Sequence, residues 1–159
     1  LGQSSIGQRD VALTPLQNAV IAATIANGGV RMEPYLVDRI QGPDLSEIDS
    51  TEPVSVGQTI SAEVASTLTD LMIASENNTA GGGRSAYQIA SKTGTAEHGT
   101  DSRNTPPHAW YIAFAPAQNP KIAIAVIVEN GGDQALAATG GSVAAPVARA
   151  VLDAGLRGR

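Results

Sequence analysis

Residues 89–97 read Ile-Ala-Ser-Lys-Thr-Gly-Thr-Ala-Glu. An apolar approach runs into Lys92, Thr93, Gly94 and Thr95, in a chain of 159 residues that contains only two lysines. On an extended segment, side chains alternate, so Lys92 leaves one face while Thr93 and Thr95 leave the other. At the margin of a sheet all three border one groove, and Gly94 lets a second backbone lie close against the strand. An ammonium, two hydroxyls and free peptide N–H groups together suit the carboxylate end of an extended peptide held by strand addition. The same N–H groups can stabilise an oxyanion if a nucleophile stands opposite. The plainer reading makes Lys92 a solvated strand lysine and Gly94 a bulge. The tetrapeptide alone leaves both readings open.

Outward from this stretch, the spacing predicts three strands: 87–97, 110–115 and 121–129. A polar loop, 98–108, separates the first two. The Pro116-Ala117-Gln118-Asn119-Pro120 linker suits an antiparallel hairpin between the last two. The third strand, KIAIAVIVE, is apolar almost throughout, which predicts cover on both faces. A Gly-rich turn, 130–141, leads to a closing helix over 143–156, whose Pro146 falls in the tolerated first turn.

Upstream, Thr14-Pro15-Leu16-Gln17 is a helix start: Thr14 caps the free N–H groups and Pro15 occupies the first position. Leu16, Ala19, Val20, Ala23 and Ala26 follow at helical spacing, until Asn27-Gly28-Gly29 ends the helix in left-handed backbone. A short strand is expected over 35–40, and 41–57 reads as an irregular surface connection. Ser61, with Ile60 before it, starts a second helix bearing Val64, Ala65, Leu68, Leu71 and Met72 on one face. That helix is expected to dissolve at Ser75-Glu76-Asn77-Asn78. A flexible loop over 79–84, with three consecutive glycines, follows. The order is helix, helix, three antiparallel strands and a closing helix. This is an α+β arrangement with helices on both faces of a sheet.

Composition narrows the function. The chain is 42% hydrophobic and 16% charged, which is globular, and its net charge of −5 with no basic run argues against nucleic acid as a partner. No cysteine is present, so a disulfide scaffold and thiolate zinc are both excluded. His98 and His108 share one polar stretch with Asp101 and read as loop residues rather than metal ligands. No run approaches the roughly 18–20 apolar residues that cross a bilayer. The chain opens on Leu1, which reads as the downstream part of a longer polypeptide. Gly83 to Thr93 fails as a phosphate loop because Ser91, not glycine, precedes Lys92. Asn77-Asn78-Thr79 matches a glycosylation triplet that many unmodified turns also match.

Lys-Thr-Gly is one of three motifs of the penicillin-recognising enzymes, beside Ser-x-x-Lys and Ser-x-Asn. The surroundings sharpen the match. SSIGQRDVALTPLQNAVIAATIANGG resembles the stretch that precedes Lys-Thr-Gly in class B penicillin-binding proteins, with its glycine-glutamine turn, Thr-Pro-Leu-Gln helix and Ile-Ala-Asn-x-Gly exit. KTGTAE, HAWYIAFAP and GGSVAAPVARAV then fall in the family's order, so the resemblance covers nearly the whole chain.

The resemblance implies a penicillin-recognising fold, with residues 1–159 forming the C-terminal portion of a transpeptidase domain. It implies a five-stranded antiparallel sheet, of which this chain supplies three strands with Lys-Thr-Gly at one edge. Lys92 would order the active-site proton network and draw the substrate's anionic end. Thr93 and Thr95 would bind the terminal carboxylate of a D-Ala-D-Ala stem peptide or of a β-lactam, with Gly94 leaving room. The Thr95 N–H would be one of two oxyanion donors. No metal or cofactor is implied.

The implied reaction is acyl transfer: a serine expels D-alanine, and an amine of a second stem peptide resolves the acyl-enzyme. Other expected partners are the upstream part of the same protein and division or elongation proteins. The implied location is the extracytoplasmic face of the plasma membrane, behind an N-terminal span outside this chain. The chain departs from the pattern in one respect: Ile89 and Gln118 stand three residues before Lys92 and Lys121, so there is no Ser-x-x-Lys. Ser75-Glu76-Asn77 lies after the Gly7-Gln8 turn, whereas the family's Ser-x-Asn lies before it, so the match reads as coincidence. Nucleophile and second motif are therefore expected upstream, and these residues alone are expected to be inactive and to fold poorly. A β-lactamase, a D,D-carboxypeptidase and a non-catalytic β-lactam sensor of the same fold are the alternatives.

Overall fold

The computed structural model describes residues 2, 4–8 and 11–157. Among these residues are two helices, a closing helix and seven strands, and the strands form two small two-stranded sheets and one central three-stranded antiparallel sheet. That sheet consists of β5 (Ala90–Ala96), β6 (His108–Ala115) and β7 (Ile122–Val128), in the order β5-β6-β7. The register runs Thr93 opposite Tyr111 and Tyr111 opposite Val126. β5 is thus an edge strand, as the resemblance implies.

α1 (Pro15–Ala26) and α2 (Ala62–Asn77) lie on one face, where Ile25 and Met72 close over Ala90 and Phe114. α3 (Ala145–Arg157) covers the other, packing Ala145, Ala148 and Leu152 with Tyr111 and Ala113. The central strand β6 is the most deeply covered, with Tyr111, Ala113, Phe114 and Ala115 all fully buried. The apolar β7 has both faces covered, yet each of its residues is only half-buried, because no described strand pairs with its outer edge.

Local chemistry sets the helix ends. Gln17 N–H donates to Thr14 Oγ1 (3.2 Å) while Thr14 N–H donates to Gln17 Oε1 (2.8 Å), a reciprocal cap ahead of Pro15. Val64 N–H donates to Ser61 Oγ (3.2 Å) at the start of α2. At the end of α1 the left-handed residues are Gly28 (φ 62°) and Gly29 (φ 89°), while Asn27 stays at φ −91°. The buried stripe of α1 is Ala22, Thr24 and Ile25 rather than the expected set, and Leu16 and Ala23 are exposed. With so many alanines, the periodicity of α1 does not distinguish one face from another.

Three other expectations need correction. The segment 41–57 is not irregular: β1 (Val30–Met32) pairs with β4 (Ser55–Gln58), and β2 (Arg39–Gln41) with β3 (Glu47–Ser50). The turn between β2 and β3 is built on Asp44, whose carboxylate accepts from Ser46 N–H and Oγ, with Leu45 at φ 65°. The expected strand 35–40 shrinks to its end, since Tyr35, Leu36 and Val37 stand exposed outside any strand. α2 does not dissolve at Ser75 but runs to Asn77, and the glycine loop after it is packed: a Cβ on Gly82 would overlap the Glu76 carbonyl. Downstream, the turn over 130–141 contains helical turns broken by positive φ at Asn130, Gly131 and Gly132, and α3 is preceded by a wider helical turn, Gly140–Ala144.

Candidate active site

β5 carries Lys92, Thr93, Gly94 and Thr95 along the free margin of the sheet. Lys92 is exposed, and its Nζ donates to the Thr93 carbonyl (2.7 Å). Thr93 and Gly94 are half-buried, and Thr95 is exposed. The Thr93 methyl lies under Gly141, on the α3 face. A Cβ added to Gly94 would meet the Trp110 Cβ at 3.2 Å, so the glycine keeps the cross-strand pair close.

The peptide groups of an antiparallel strand point alternately to its two sides. The Thr95 carbonyl and the Glu97 N–H point away from β6, because the side-chain amide of Gln8, on the opposite side, binds both (2.9 and 3.1 Å). Alternation then sends the N–H groups of Thr93 and Thr95 to the same outer edge. The four residues thus present an ammonium, two hydroxyls and outward N–H groups along one ledge. Two cavities lie elsewhere in the fold, one at Glu76, Ser85, Tyr87 and Ile89, the other at Val20, Thr24, Val30 and Pro34.

Directly behind the ledge is a buried ionic cluster that the sequence reading missed. Glu76, 2% exposed in the last turn of α2, accepts from Ser91 Oγ (2.6 Å) and Tyr111 OH (2.7 Å) at Oε2, and from Arg149 Nε (2.8 Å) at Oε1. Arg149 Nη1 donates to the Ala80 carbonyl (2.8 Å), and the guanidinium lies 5.9 Å from the Tyr111 ring centroid. Burial, then the bond to Glu76, pushes the Tyr111 hydroxyl well above the usual phenol range. Burial works against the Arg149 charge, but its partnership with Glu76 leaves the guanidinium held above its ordinary value. Ser91 immediately precedes Lys92, so the cluster ties α2, β5, β6 and α3 together at the entry to the ledge. The available signals were weak: one acid in a polar run taken for a helix end, and one arginine among the alanines of α3.

The loop between β5 and β6 is closed at its base by His98 and by His108, which is the first residue of β6 rather than the expected loop residue; their rings stack at 3.9 Å and 7°. His98 Nε2 bonds to the Pro106 carbonyl (2.9 Å), and His108 Nδ1 accepts from Asn130 N–H (3.1 Å). Among the described residues, no three His, Asp or Glu side chains cluster so as to hold a metal ion. Ser75 and Asn77 flank Glu76 in the last turn of α2, where the Ser75 carbonyl accepts from Thr79 Oγ1 (2.8 Å).

The sequence profile of the penicillin-binding protein transpeptidase domain matches residues 1–153. The chain is 66% identical over 158 residues to the peptidoglycan D,D-transpeptidase PbpA of Mycolicibacterium smegmatis, covering 99% of this chain and 32% of that protein. It is 33% identical over 167 residues to the peptidoglycan D,D-transpeptidase MrdA of Haemophilus influenzae, covering 93% of this chain and 24% of that one. The fold superposes with a TM-score of 0.91 on a ceftriaxone acyl-enzyme complex of penicillin-binding protein A from M. tuberculosis, at 61% identity over 96% of this chain and 34% of the other. The chain therefore spans about a third of the length of these PbpA relatives.

Proposed function

The chain belongs to the penicillin-binding protein transpeptidase family, and from that membership we propose that it supplies the carboxylate-binding margin of a peptidoglycan D,D-transpeptidase. The observation that carries this reading is the position of Lys92-Thr93-Gly94-Thr95 on the free edge of β5, with peptide N–H groups directed outward.

Lys92 draws the anionic end of a stem peptide ending in D-Ala-D-Ala, and the hydroxyls of Thr93 and Thr95 donate to its carboxylate. Gly94 adds no bulk where the ligand backbone approaches. The Thr95 N–H takes up negative charge on the carbonyl oxygen of the penultimate residue as the tetrahedral intermediate forms. The attacking hydroxyl belongs to a serine contributed from elsewhere in the complete protein, because neither lysine here has a serine three residues before it. That serine forms an ester with the penultimate D-alanine while the terminal D-alanine leaves as the free amino acid. An amine of a second stem peptide then attacks the ester, and the serine is regenerated.

β-Lactams acylate the same serine, a reading supported by one relative, penicillin-binding protein A of M. tuberculosis, known as acyl-enzyme complexes with ceftriaxone and with penicillin G. Among the described residues no single helix is long and apolar enough to cross a membrane. We place the complete protein at the outer face of the plasma membrane, where its substrate lies, held by a span beyond this chain and meeting division or elongation proteins there.

The test is Lys92→Ala in the complete protein. Acylation by a fluorescent penicillin is expected to fall by at least about a hundredfold, the scale on which a positioned charge or proton carrier acts, with the melting temperature unchanged. Labelling at the wild-type rate would overturn the reading. Slow breakdown of the wild-type penicilloyl adduct distinguishes a transpeptidase from a β-lactamase, which would turn it over rapidly.

A further inference from the structure

Ser91 stands one residue before Lys92, yet it cannot meet a ligand. It is fully buried, and its hydroxyl donates to Glu76 Oε2 (2.6 Å). A hydroxyl on the side of the sheet that carries Tyr111 and Ala113 costs free energy unless a partner takes it. Glu76 is that partner, and it is itself held in place. Its Oε2 also accepts from Tyr111 OH (2.7 Å), its Oε1 from Arg149 Nε (2.8 Å), and its main-chain carbonyl from Thr79 N–H (3.0 Å). Hydrogen bonds to an ionised carboxylate are the short, strong kind.

The register shows where this carboxylate grips. Ser91 pairs with Ala113, and Thr93 with Tyr111. One oxygen of Glu76 thus holds β5 just before Lys92 and holds β6 directly opposite Thr93. β5 has a described ladder partner on one side only. A single ladder acts as a hinge, about which an edge strand can roll. Roll swings Lys92 and Thr93 in opposite senses, because alternate side chains leave opposite faces. A side chain anchored across the face of the sheet is what opposes that motion.

We propose that Ser91 is a positioning residue: its bond to Glu76 sets the roll of β5 and so holds Lys92 and Thr93 in the arrangement that receives a ligand carboxylate. The proposal rests on the reading of β5 as the carboxylate ledge. Ser91 itself touches no substrate and moves no proton. The consequence is selective. The Thr95 N–H lies close to the strand axis and is displaced little by roll, whereas the Lys92 ammonium and the Thr93 hydroxyl lie off it. Freeing Ser91 therefore weakens recognition of an anionic ligand end more than it slows acylation by a ligand that lacks one.

The test uses the complete protein and two ligands, benzylpenicillin and its methyl ester, which differ only at the carboxylate. Acylation rate constants are read by competition with a fluorescent penicillin, and their ratio, acid over ester, cancels any loss of folded protein. In Ser91→Ala the ratio is expected to fall about tenfold, the scale of one hydrogen bond to a charged group. Ser91→Thr, which keeps the hydroxyl, is expected to retain most of the wild-type ratio. Ile89→Val removes core volume from the residue that leads into β5, and is expected to lower the melting temperature while leaving the ratio unchanged. An unchanged ratio in Ser91→Ala overturns the proposal, as does an equal fall in Ser91→Thr or in Ile89→Val. Failure of both serine variants to take up any label would make Ser91 a structural anchor and overturn it too. A wild-type ratio near one is a different result: the ledge reading itself then falls and carries this inference with it.

Discussion

Glu76 and Arg149 form an ion pair at 2.8 Å with side-chain exposures of 2% and 14%. Two charges at that depth lose most of their hydration, and their mutual attraction offsets the loss only while the remaining lone pairs and protons are satisfied. Ser91 and Tyr111 satisfy one carboxylate oxygen and Ala80 one guanidinium nitrogen, although the buried Arg149 Nη2 has no hydrogen-bond partner among the described residues. Removing one member leaves the other charge stranded. Glu76→Ala in the complete protein is expected to cost about 3–5 kcal/mol, read from the shift of the urea midpoint. Arg149→Met in the same background should then cost far less than it does alone. A double-mutant cycle should therefore show a coupling of at least about 1 kcal/mol, and strictly additive losses would refute the account. The sequence could not reveal this pair, because 73 residues separate its members and each looks like an ordinary surface charge in its own segment. Lys92 to Thr95, by contrast, was legible because its four residues are contiguous and their chemistry is unusual for a strand.

Elements were legible wherever end chemistry and apolar runs agree. The caps at Thr14 and Ser61 and the three strands of the main sheet lie within a few residues of their expected positions. The small paired strands between α1 and α2 escaped because their register is held by turn geometry and by a Gly29–Thr59 contact rather than by an apolar face. The wider turn before α3 shows what element packing demands of single residues. A Cβ on Gly140 would lie 2.1 Å from the Trp110 carbonyl oxygen and within 2.9 Å of the Gly94 backbone. The obstacles are backbone atoms of the β5–β6 ladder, which cannot swing aside as a flexible side chain would. Gly140→Ala must therefore push β5 and β6 apart at Gly94, at a cost of about 1–3 kcal/mol or more. Because the displaced strand carries the ledge, penicillin acylation of the complete protein should fall together with the melting temperature. Gly28→Ala is the control: its Cβ meets nothing within 4 Å, and only the positive φ is strained, so it should lower stability without slowing acylation.

At the scale of the whole chain, the burial pattern is that of a surface made to be covered. Leu16 and Ile21 on α1 are 59% and 42% exposed, and Val64 and Leu71 on α2 are 47% and 62% exposed. These are large apolar groups on the outward sides of helices whose other sides already pack the sheet. β7, seven apolar residues in a row, has no described partner on its outer edge, so a row of peptide groups is offered to any passing strand. Each feature alone is tolerable in a soluble domain, since apolar atoms contribute over half of any protein surface. Together, in a chain that spans about a third of its relatives' length, they point to a core shared with sequence beyond residues 1–159. The expected outcome for these 159 residues expressed alone is a broad, weakly cooperative thermal transition, strong binding of a hydrophobic dye and a tendency to associate. The complete protein should melt in one sharp step and leave the dye unbound. A monomeric fragment with dispersed amide resonances and a sharp melt would show that α1, α2 and β7 need no further cover. The outward apolar side chains would then have to be explained as an interface with a separate partner.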